Sequence, residues 1–116
     1  MLMTGEDYRE SLRRLKPRVF VNGERIESVA DHPSLAPGIN AMAITYDYAH
    51  DERYRQLMTA TEQSSGKLVN RMLHIDRSPQ DLIEKLEAVR LTCREVGCAQ
   101  RYLAHDSLSA VYQAVH

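Results

Sequence analysis

The chain has 116 residues, of which 43% are hydrophobic and 27% charged, the balance of one globular domain. Fifteen basic against sixteen acidic residues give a net charge of -1, which argues against a nucleic-acid partner because such modules usually have a clear basic excess. We expect no membrane segment, since no apolar run approaches the ~18 residues that a span needs. Two cysteines are too few for a disulfide-stapled scaffold, so we expect a reducing, cytoplasmic setting.

The first thirty residues predict a helix followed by a hairpin. Thr4 begins a capping-box pattern, which predicts a helix over residues 5–16. Asn22-Gly23 is typical of a type I′ turn, because both residues tolerate positive φ. The dipeptide therefore predicts that 18–21 and 24–29 pair as antiparallel strands.

The middle of the chain gives weaker signals. Segment 31–40 contains two prolines and a glycine and predicts a loop, and apolar spacing predicts a helix from residue 39 to about 50. A short helix is expected within 53–58, and the polar stretch 59–66 predicts an exposed loop. Segment 67–75 is ambiguous, with a short irregular strand pair as one interpretation.

The last third predicts two helices. Ser78-Pro79 is a helix-start signal, Gly97 predicts a break, and Asp106 is expected to cap a final helix. The fold class predicted from these elements is mainly α, with four helices and a small β-hairpin. The long helix is expected to bury one apolar face, formed by Leu82, Ile83, Leu86, Val89, Cys93 and Val96.

A polar cluster over residues 98–106 contains the candidate functional side chains. Arg101 and His105 lie four residues apart and would share one face of a helix, as would Tyr102 and Asp106. An arginine beside a histidine can bind an anion or phenolate and exchange a proton near neutral pH. The alternative is a solvated helix face or a local salt network. The spacing of the cysteines and histidines matches no compact zinc pattern, so we expect no metal site.

Several motifs, taken in order, resemble the N-terminal region of the 4-hydroxyphenylacetate 3-hydroxylase / 4-hydroxybutyryl-CoA dehydratase family. The likeness extends over essentially the whole chain, and the order of the motifs makes it fairly specific. The motifs are Tyr8-Arg9-Glu10-Ser11-Leu12, Gly23-Glu24-Arg25-Ile26, Asp31-His32-Pro33, Ile39-Asn40-Ala41, Asn70-Arg71, Ser78-Pro79-Gln80-Asp81-Leu82 and the Cys98–Asp106 block.

The resemblance implies the helical N-terminal domain of an acyl-CoA-dehydrogenase-like flavoenzyme. Residues 1–116 would form one domain, part of a longer chain, in a homo-oligomer that is a dimer or tetramer. The resemblance also implies that FAD binds mainly between the later domains, so the isolated 116 residues would be inactive. The chain itself has no Gly-rich phosphate loop.

The family that the chain resembles has two branches with different chemistry. The dehydratase branch holds an iron–sulfur cluster with a Cys-x-x-x-Cys pair in this region, where the present chain has Cys98 and then Tyr102. A phenol replaces a thiolate ligand, which favours the hydroxylase branch: a two-component monooxygenase that hydroxylates a phenol ortho to its hydroxyl. Reduced FAD would come from a partner flavin reductase.

The hydroxylase branch places an Arg, and a Tyr four residues later, at the substrate phenol. Arg101 matches the Arg, while the Tyr position falls on His105. The resemblance thus implies Arg101 and His105 as catalytic residues, and Arg101, Tyr102 and His105 as substrate-binding residues. Two alternatives stay open: a 4-hydroxybutyryl-CoA dehydratase/vinylacetyl-CoA isomerase-like enzyme, and a non-catalytic helical interaction domain.

Overall fold

The structure, a computed structural model, describes residues 1–97 and 100–115; within the second range it describes only the backbone of residues 100–102, 104 and 105. The elements are helices joined by two short strand pairs and one 3₁₀ turn. In chain order they are α1 Gly5–Leu15, β1 Val19–Val21, β2 Glu24–Ile26, α2 Ala36–Asp47, α3 Arg55–Met58, β3 Thr59–Thr61, β4 Leu68–Asn70, the 3₁₀ turn Arg71–Leu73, α4 Pro79–Val96 and α5 Gln100–Val115.

The predicted mainly helical fold with a hairpin at Asn22-Gly23 is confirmed. Both turn residues have positive φ, 52° at Asn22 and 87° at Gly23, and β1 pairs with β2 in antiparallel register. Thr4 caps α1 as expected: its Oγ1 accepts from the backbone N–H of Asp7 at 3.1 Å. These features depend on residues within a few positions of each other, which is why the sequence predicts them.

Helix α1 packs against α2 through a stacked pair of tyrosines and a close backbone approach. The ring centroids of Tyr8 and Tyr46 are 5.3 Å apart. The amide of Gly5 donates to Asp47 Oδ1 at 2.8 Å, and a Cβ atom on Gly5 would collide with the Asp47 carboxylate. Glycine at the first turn therefore lets the carboxylate bind the positive end of α1.

The predicted loop over 59–66 is wrong in its first part, because Thr59–Thr61 forms β3 and pairs antiparallel with β4. The connection between them is a turn in which the carboxylate of Glu62 accepts from the amides of Ser64 and Ser65 at 3.0 Å each. The interpretation of 72–75 as strand is also wrong in part. Met72 belongs to the 3₁₀ turn, whose start is fixed by Asn70 Oδ1 accepting from Met72 N–H at 3.0 Å.

The predicted core face of α4 is wrong. Leu82, Ile83 and Leu86 are 51%, 53% and 42% exposed, while the buried residues of the helix are Lys85, Ala88 and Thr92. The helix presents this side to the core because Lys85 finds buried acceptors there, and the hydroxyl of Thr92 bonds a carbonyl of its own helix at 3.1 Å. Of the expected face, Val89 is partly buried against the core cluster of Ala49, Met58, Met72 and Ala88.

Asp106 does not cap the last helix. Gly97 ends α4 in the left-handed conformation, as predicted, but α5 begins at Gln100 and places Asp106 inside the helix. The expectation fails because the residues before Asp106 continue the helix. Among the described residues, no helix is both long and apolar enough to cross a bilayer.

Replacing Gly23 by alanine should lower the free energy of unfolding by ~1 kcal/mol, because a side chain disfavours the left-handed backbone of the turn. The same replacement at Gly38, inside α2, is the matched control and should raise stability by up to ~1 kcal/mol, since alanine is the better helix former. Urea unfolding followed by circular dichroism measures both. Equal effects at the two glycines would contradict the turn geometry.

Candidate functional site

The three candidate residues from the sequence lie on α5. Arg101, Tyr102 and His105 fall in its first two turns, and their side chains lie outside the described part of the structure, as does Cys98. At about 100° per residue, positions 101, 105 and 112 form one stripe of the helix, and 102, 106, 109 and 113 form the neighbouring stripe.

A cleft of about 210 Å³ lies between the second half of α5 and the segment that precedes α4. One side is formed by Ile75, Asp76 and Arg77, and the other by Ser109, Tyr112 and Gln113 of α5. The cleft continues towards Leu82, Lys85 and Leu86 of α4 and Asp106 of α5. We call it the α5 cleft. Its described α5 lining comes from the second half of the helix, Asp106, Ser109, Tyr112 and Gln113, whereas Arg101, Tyr102 and His105 lie in the first two turns.

Lys85 lies at the base of the α5 cleft and is only 1% exposed. Its Nζ is 2.6 Å from Asp76 Oδ1 and donates to the carbonyl of His74 at 2.7 Å. Burial lowers the pKa of the Lys85 ammonium, and the neighbouring Asp76 carboxylate opposes that shift. The buried ammonium thus links α4 directly to the segment that forms one side of the cleft.

A second buried cation holds the chain below the cleft. Arg71, 5% exposed, donates to the carbonyls of Leu57 and Thr59, the latter at 2.7 Å, and its Nη1 is 2.7 Å from Glu84 Oε2. The preceding Asn70 donates to the carbonyl of Thr45 at 2.8 Å. Asn70-Arg71 therefore joins α2, α3, β3 and α4 around the 3₁₀ turn, against which α5 packs.

His74 is buried beside the start of α4. Its Nε2 is 3.6 Å from Asp81 Oδ1, and its Nδ1 has no hydrogen-bond partner among the described residues. The amide of Arg77 donates to Asp81 and lowers the pKa of that carboxyl below its usual range. Asp81 is thus an ionised cap that fixes the start of α4 next to the cleft.

The sequence missed Lys85, Asp76 and His74 as residues of this region. Lysine usually marks a solvent-facing position, so the pattern of α4 placed Lys85 outside. Only Asn70-Arg71 was signalled, as one of the family motifs. Within the part of the chain that the structure describes, no group of three or more His, Cys, Asp or Glu side chains could hold a metal ion.

Comparison with known proteins gives the class of protein to which this fold and cleft belong. Residues 4–116 match the family model described as 4-hydroxyphenylacetate 3-hydroxylase N terminal. The chain therefore belongs to the 4-hydroxyphenylacetate 3-hydroxylase family and corresponds to its N-terminal region.

Curated relatives come from both branches of the family. The chain is 41% identical to the 4-hydroxybutyryl-CoA dehydratase/vinylacetyl-CoA-Delta-isomerase of Clostridium aminobutyricum, over 100% of this chain and 24% of that protein. It is 32% identical to the 4-hydroxyphenylacetate 3-monooxygenase oxygenase component of Thermus thermophilus, over 98% of this chain and 23% of that protein. The chain thus spans about a quarter of the length of these relatives.

Solved structures show the same two branches. An archaeal 4-hydroxybutyryl-CoA dehydratase from N. maritimus matches with a TM-score of 0.85 and 37% identity, over 94% of this chain and 22% of that one. The oxygenase component of 4-hydroxyphenylacetate 3-monooxygenase in complex with FAD matches with a TM-score of 0.69 and 31% identity, over 80% and 19%. These matches confirm the predicted fold, the helical N-terminal region of this acyl-CoA-dehydrogenase-like family.

Replacing Arg71 by methionine should lower the free energy of unfolding by ~3–5 kcal/mol, because it leaves buried carbonyls without a donor and Glu84 without its partner. Arg90→Met is the matched control. Arg90 also pairs with a glutamate of α4, Glu87, at 2.6 Å, but its side chain is 68% exposed. That control should change stability by under ~1 kcal/mol. Thermal and urea unfolding measure both, and similar losses would contradict the buried role of Arg71.

Proposed function

We propose that this chain is the N-terminal, substrate-site-contributing part of a two-component FAD-dependent monooxygenase that hydroxylates a phenol ortho to its hydroxyl group. Family membership supports an enzyme, and the relatives include several oxygenase components of 4-hydroxyphenylacetate 3-monooxygenase. One solved relative is an oxygenase component in complex with FAD and 4-hydroxyphenylacetate. In the proposal the enzyme is a cytoplasmic homo-oligomer that receives reduced FAD from a separate reductase.

Tyr102 is the observation on which the choice of branch depends. The dehydratase branch needs thiolates at both positions of Cys-x-x-x-Cys, and this chain has Cys98 followed by Tyr102. A phenolic oxygen is a hard ligand and a poor substitute for sulfur at an iron–sulfur cluster. The residues present therefore do not fit such a cluster, and the proposal includes no step through one.

The described residues also offer little to FAD. The left-handed glycines, Gly23, Gly66 and Gly97, lie singly at turns and helix ends. None of them belongs to a glycine-rich loop leading into a helix, the arrangement that binds a pyrophosphate. In the proposal, FAD, which supplies the oxygen-activating chemistry when bound, is held mainly by domains that follow this one.

Exposed apolar surface supports a place within a larger enzyme. On α4, Leu82, Ile83 and Leu86 face outward, and Leu103, Val111 and Val115 do so on α5. The radius of gyration is 15.4 Å, whereas a compact domain of this length would have about 13 Å. Contiguous apolar faces of this kind usually mark an interface. In the proposal, later domains cover them.

The proposed roles follow from the chemistry of α5. Arg101 has fixed donors that would stabilise negative charge on the phenolate oxygen, which raises electron density at the ortho carbon. His105, one turn further along the same stripe, would accept the proton as the phenol ionises. Tyr102, on the neighbouring stripe, would donate its hydroxyl to the substrate.

A second function is favoured by overall similarity. The identity to the Clostridium dehydratase, 41%, exceeds the 32% to the Thermus oxygenase component, and the TM-scores of 0.85 and 0.69 follow the same order. A dehydratase/isomerase-like enzyme acting on a CoA ester is therefore the alternative. It would have to work with Tyr102 in place of a cluster cysteine.

In the full-length enzyme, Arg101→Ala should reduce hydroxylation of 4-hydroxyphenylacetate ~10²–10³-fold, because a preorganised charge-stabilising donor is lost. Flavin reoxidation should continue and release peroxide. His105→Ala should also move one limb of the pH–rate profile, because a proton-transfer group sets it. Product analysis, peroxide assays and melting temperatures measure these effects. If Arg101→Ala lowers the melting temperature and leaves coupled hydroxylation intact, the salt-network interpretation is right instead.

Anaerobic reconstitution with iron and sulfide should leave the full-length protein without a stoichiometric cluster, because Tyr102 cannot supply a thiolate. Iron and sulfide analysis and the visible spectrum measure the outcome. Tyr102→Cys, which restores the Cys-x-x-x-Cys spacing, is the matched variant under the same conditions. A four-iron cluster in the unmodified protein that is lost in Cys98→Ser would favour the dehydratase alternative over the monooxygenase.

A further inference from the structure

One wall of the α5 cleft is a short segment without regular secondary structure, residues 74–78, which we call the wall segment. It is held at both ends by side chains of α4. Lys85 Nζ binds the carbonyl of His74 and the carboxylate of Asp76, at 2.7 and 2.6 Å. Asp81 Oδ2 accepts from the amides of Arg77 and Ser78, at 3.0 and 2.9 Å. Both anchors of the wall segment therefore come from α4.

The two members of the Lys85–Asp76 pair differ in exposure. The Lys85 side chain is 2% exposed, while that of Asp76 is 20% exposed and lines the cleft. Removing an ammonium from water costs several kcal/mol, and apolar residues of similar volume often give equal or better stability. The stability of the fold is thus a weak explanation for the burial of Lys85. A more specific explanation is that Lys85 fixes the orientation of the Asp76 carboxylate, which lines the cleft.

Under the proposed function, the apolar part of the cleft lining would contact the ring of the phenol. Ile75, Leu82 and Tyr112 provide apolar surface, and Ser109 and Gln113 provide polar groups on the α5 side. The rate of a reaction in this cleft would depend on the separation of its two walls, because that separation positions the ligand. A shift of ~1 Å in a positioned ligand can lower the rate up to ~10²-fold.

We propose that Lys85 is a positioning residue of the substrate site: acting through Asp76, it holds the wall segment at the separation from α5 that an aromatic substrate requires. The proposal rests on the function proposed above for the substrate class. Lys85 does not itself contact the substrate, because its Nζ is directed to His74 and Asp76 at the base of the cleft.

The neighbouring residue on α4 supplies a matched control. Glu84 also forms an ion pair with a buried partner, Arg71, at 2.7 Å. Arg71 binds carbonyls at 57 and 59, outside the wall segment. Glu84→Gln keeps an oxygen that can accept from Arg71 and leaves the bonds from Arg71 to the carbonyls of Leu57 and Thr59 in place, so the 3₁₀ turn and the cleft should stay unchanged. Disturbing the Lys85–Asp76 pair should affect both stability and the cleft.

The test uses the full-length enzyme with 4-hydroxyphenylacetate as the probe and compares Lys85→Met, the double variant Lys85→Met/Asp76→Leu, and Glu84→Gln. Lys85→Met should lower the melting temperature and raise KM ~10-fold or more, with a smaller change in kcat. The double variant buries no unpaired charge, so its melting temperature should recover while KM stays raised. Glu84→Gln should leave KM unchanged. Recovery of both melting temperature and KM in the double variant would overturn the proposal.

Hydrogen exchange separates this inference from the proposed function. In Lys85→Met, the amides of the wall segment should exchange ~10-fold faster or more, while those of α2 stay unchanged, because only the wall segment loses its anchor. Unchanged exchange at the wall segment would refute the positioning role whatever the activity. If the unmodified enzyme hydroxylates no phenol but the exchange result holds, the phenol assignment fails and the anchoring of the wall by Lys85 stands.

Discussion

The contact on which most of this structure depends is the buried guanidinium of Arg71. It satisfies carbonyls where α3 ends and β3 begins, a place where no regular ladder could satisfy them. Buried carbonyls without donors cost free energy comparable to a lost hydrogen bond, so Arg71 favours the burial of Met58 and Thr59, where α3 meets β3. The core around it consists of small or flexible residues, Ala49, Met58, Met72 and Ala88. Such side chains fill space but fix orientation poorly, so polar contacts determine the geometry.

The same constraint explains the unexpected orientation of α4. Glu84 and Lys85 must both reach partners on the interior side, Arg71 for one and Asp76 with the His74 carbonyl for the other. Rotating the helix to bury Leu82 and Leu86 would separate these pairs and leave charges buried without partners, which costs more than leaving leucines exposed. The buried ions on the inner side of α4 and the apolar stripe on its outer side thus have the same cause, which is the pairing of Glu84 and Lys85 with interior partners. An apolar stripe in solvent is acceptable if another surface covers it, which agrees with the proposal that later domains pack on this one.

Local features were predictable from the sequence, and features set by distant partners were not. The caps at Thr4 and Ser78 and the turn at Asn22-Gly23 need only residues within four positions of each other, and all are present. The strand at Thr59–Thr61 forms only by pairing with β4, seven or more residues further along the chain. Because its own sequence and its neighbours are polar, this segment resembles a loop. The burial of Lys85 is not predictable, because its polarity says nothing about the carbonyl and carboxylate that pair with it. For the candidate site, the i, i+4 spacing of the polar cluster indicates Arg101 and His105, and the family resemblance adds their roles and Tyr102. Asp76 and Lys85 have no such signal, because their pairing joins residues in different segments of the chain.

In this family, proteins with similar folds carry out different chemistry. The same helical scaffold matches a dehydratase with a TM-score of 0.85 and an oxygenase component with 0.69, so the scaffold alone specifies neither reaction. Under the proposed function, the chemistry depends on which residue stands at position 102 of α5. A thiolate there can bind soft iron, whereas the phenol of Tyr102 is a hydrogen-bond donor and acceptor with little affinity for a cluster. Under the proposed function, that exchange turns a ligand position into a substrate-binding position without moving the helix. Helix α5 packs against the 3₁₀ turn and α2, so these two elements determine where that position lies in the fold.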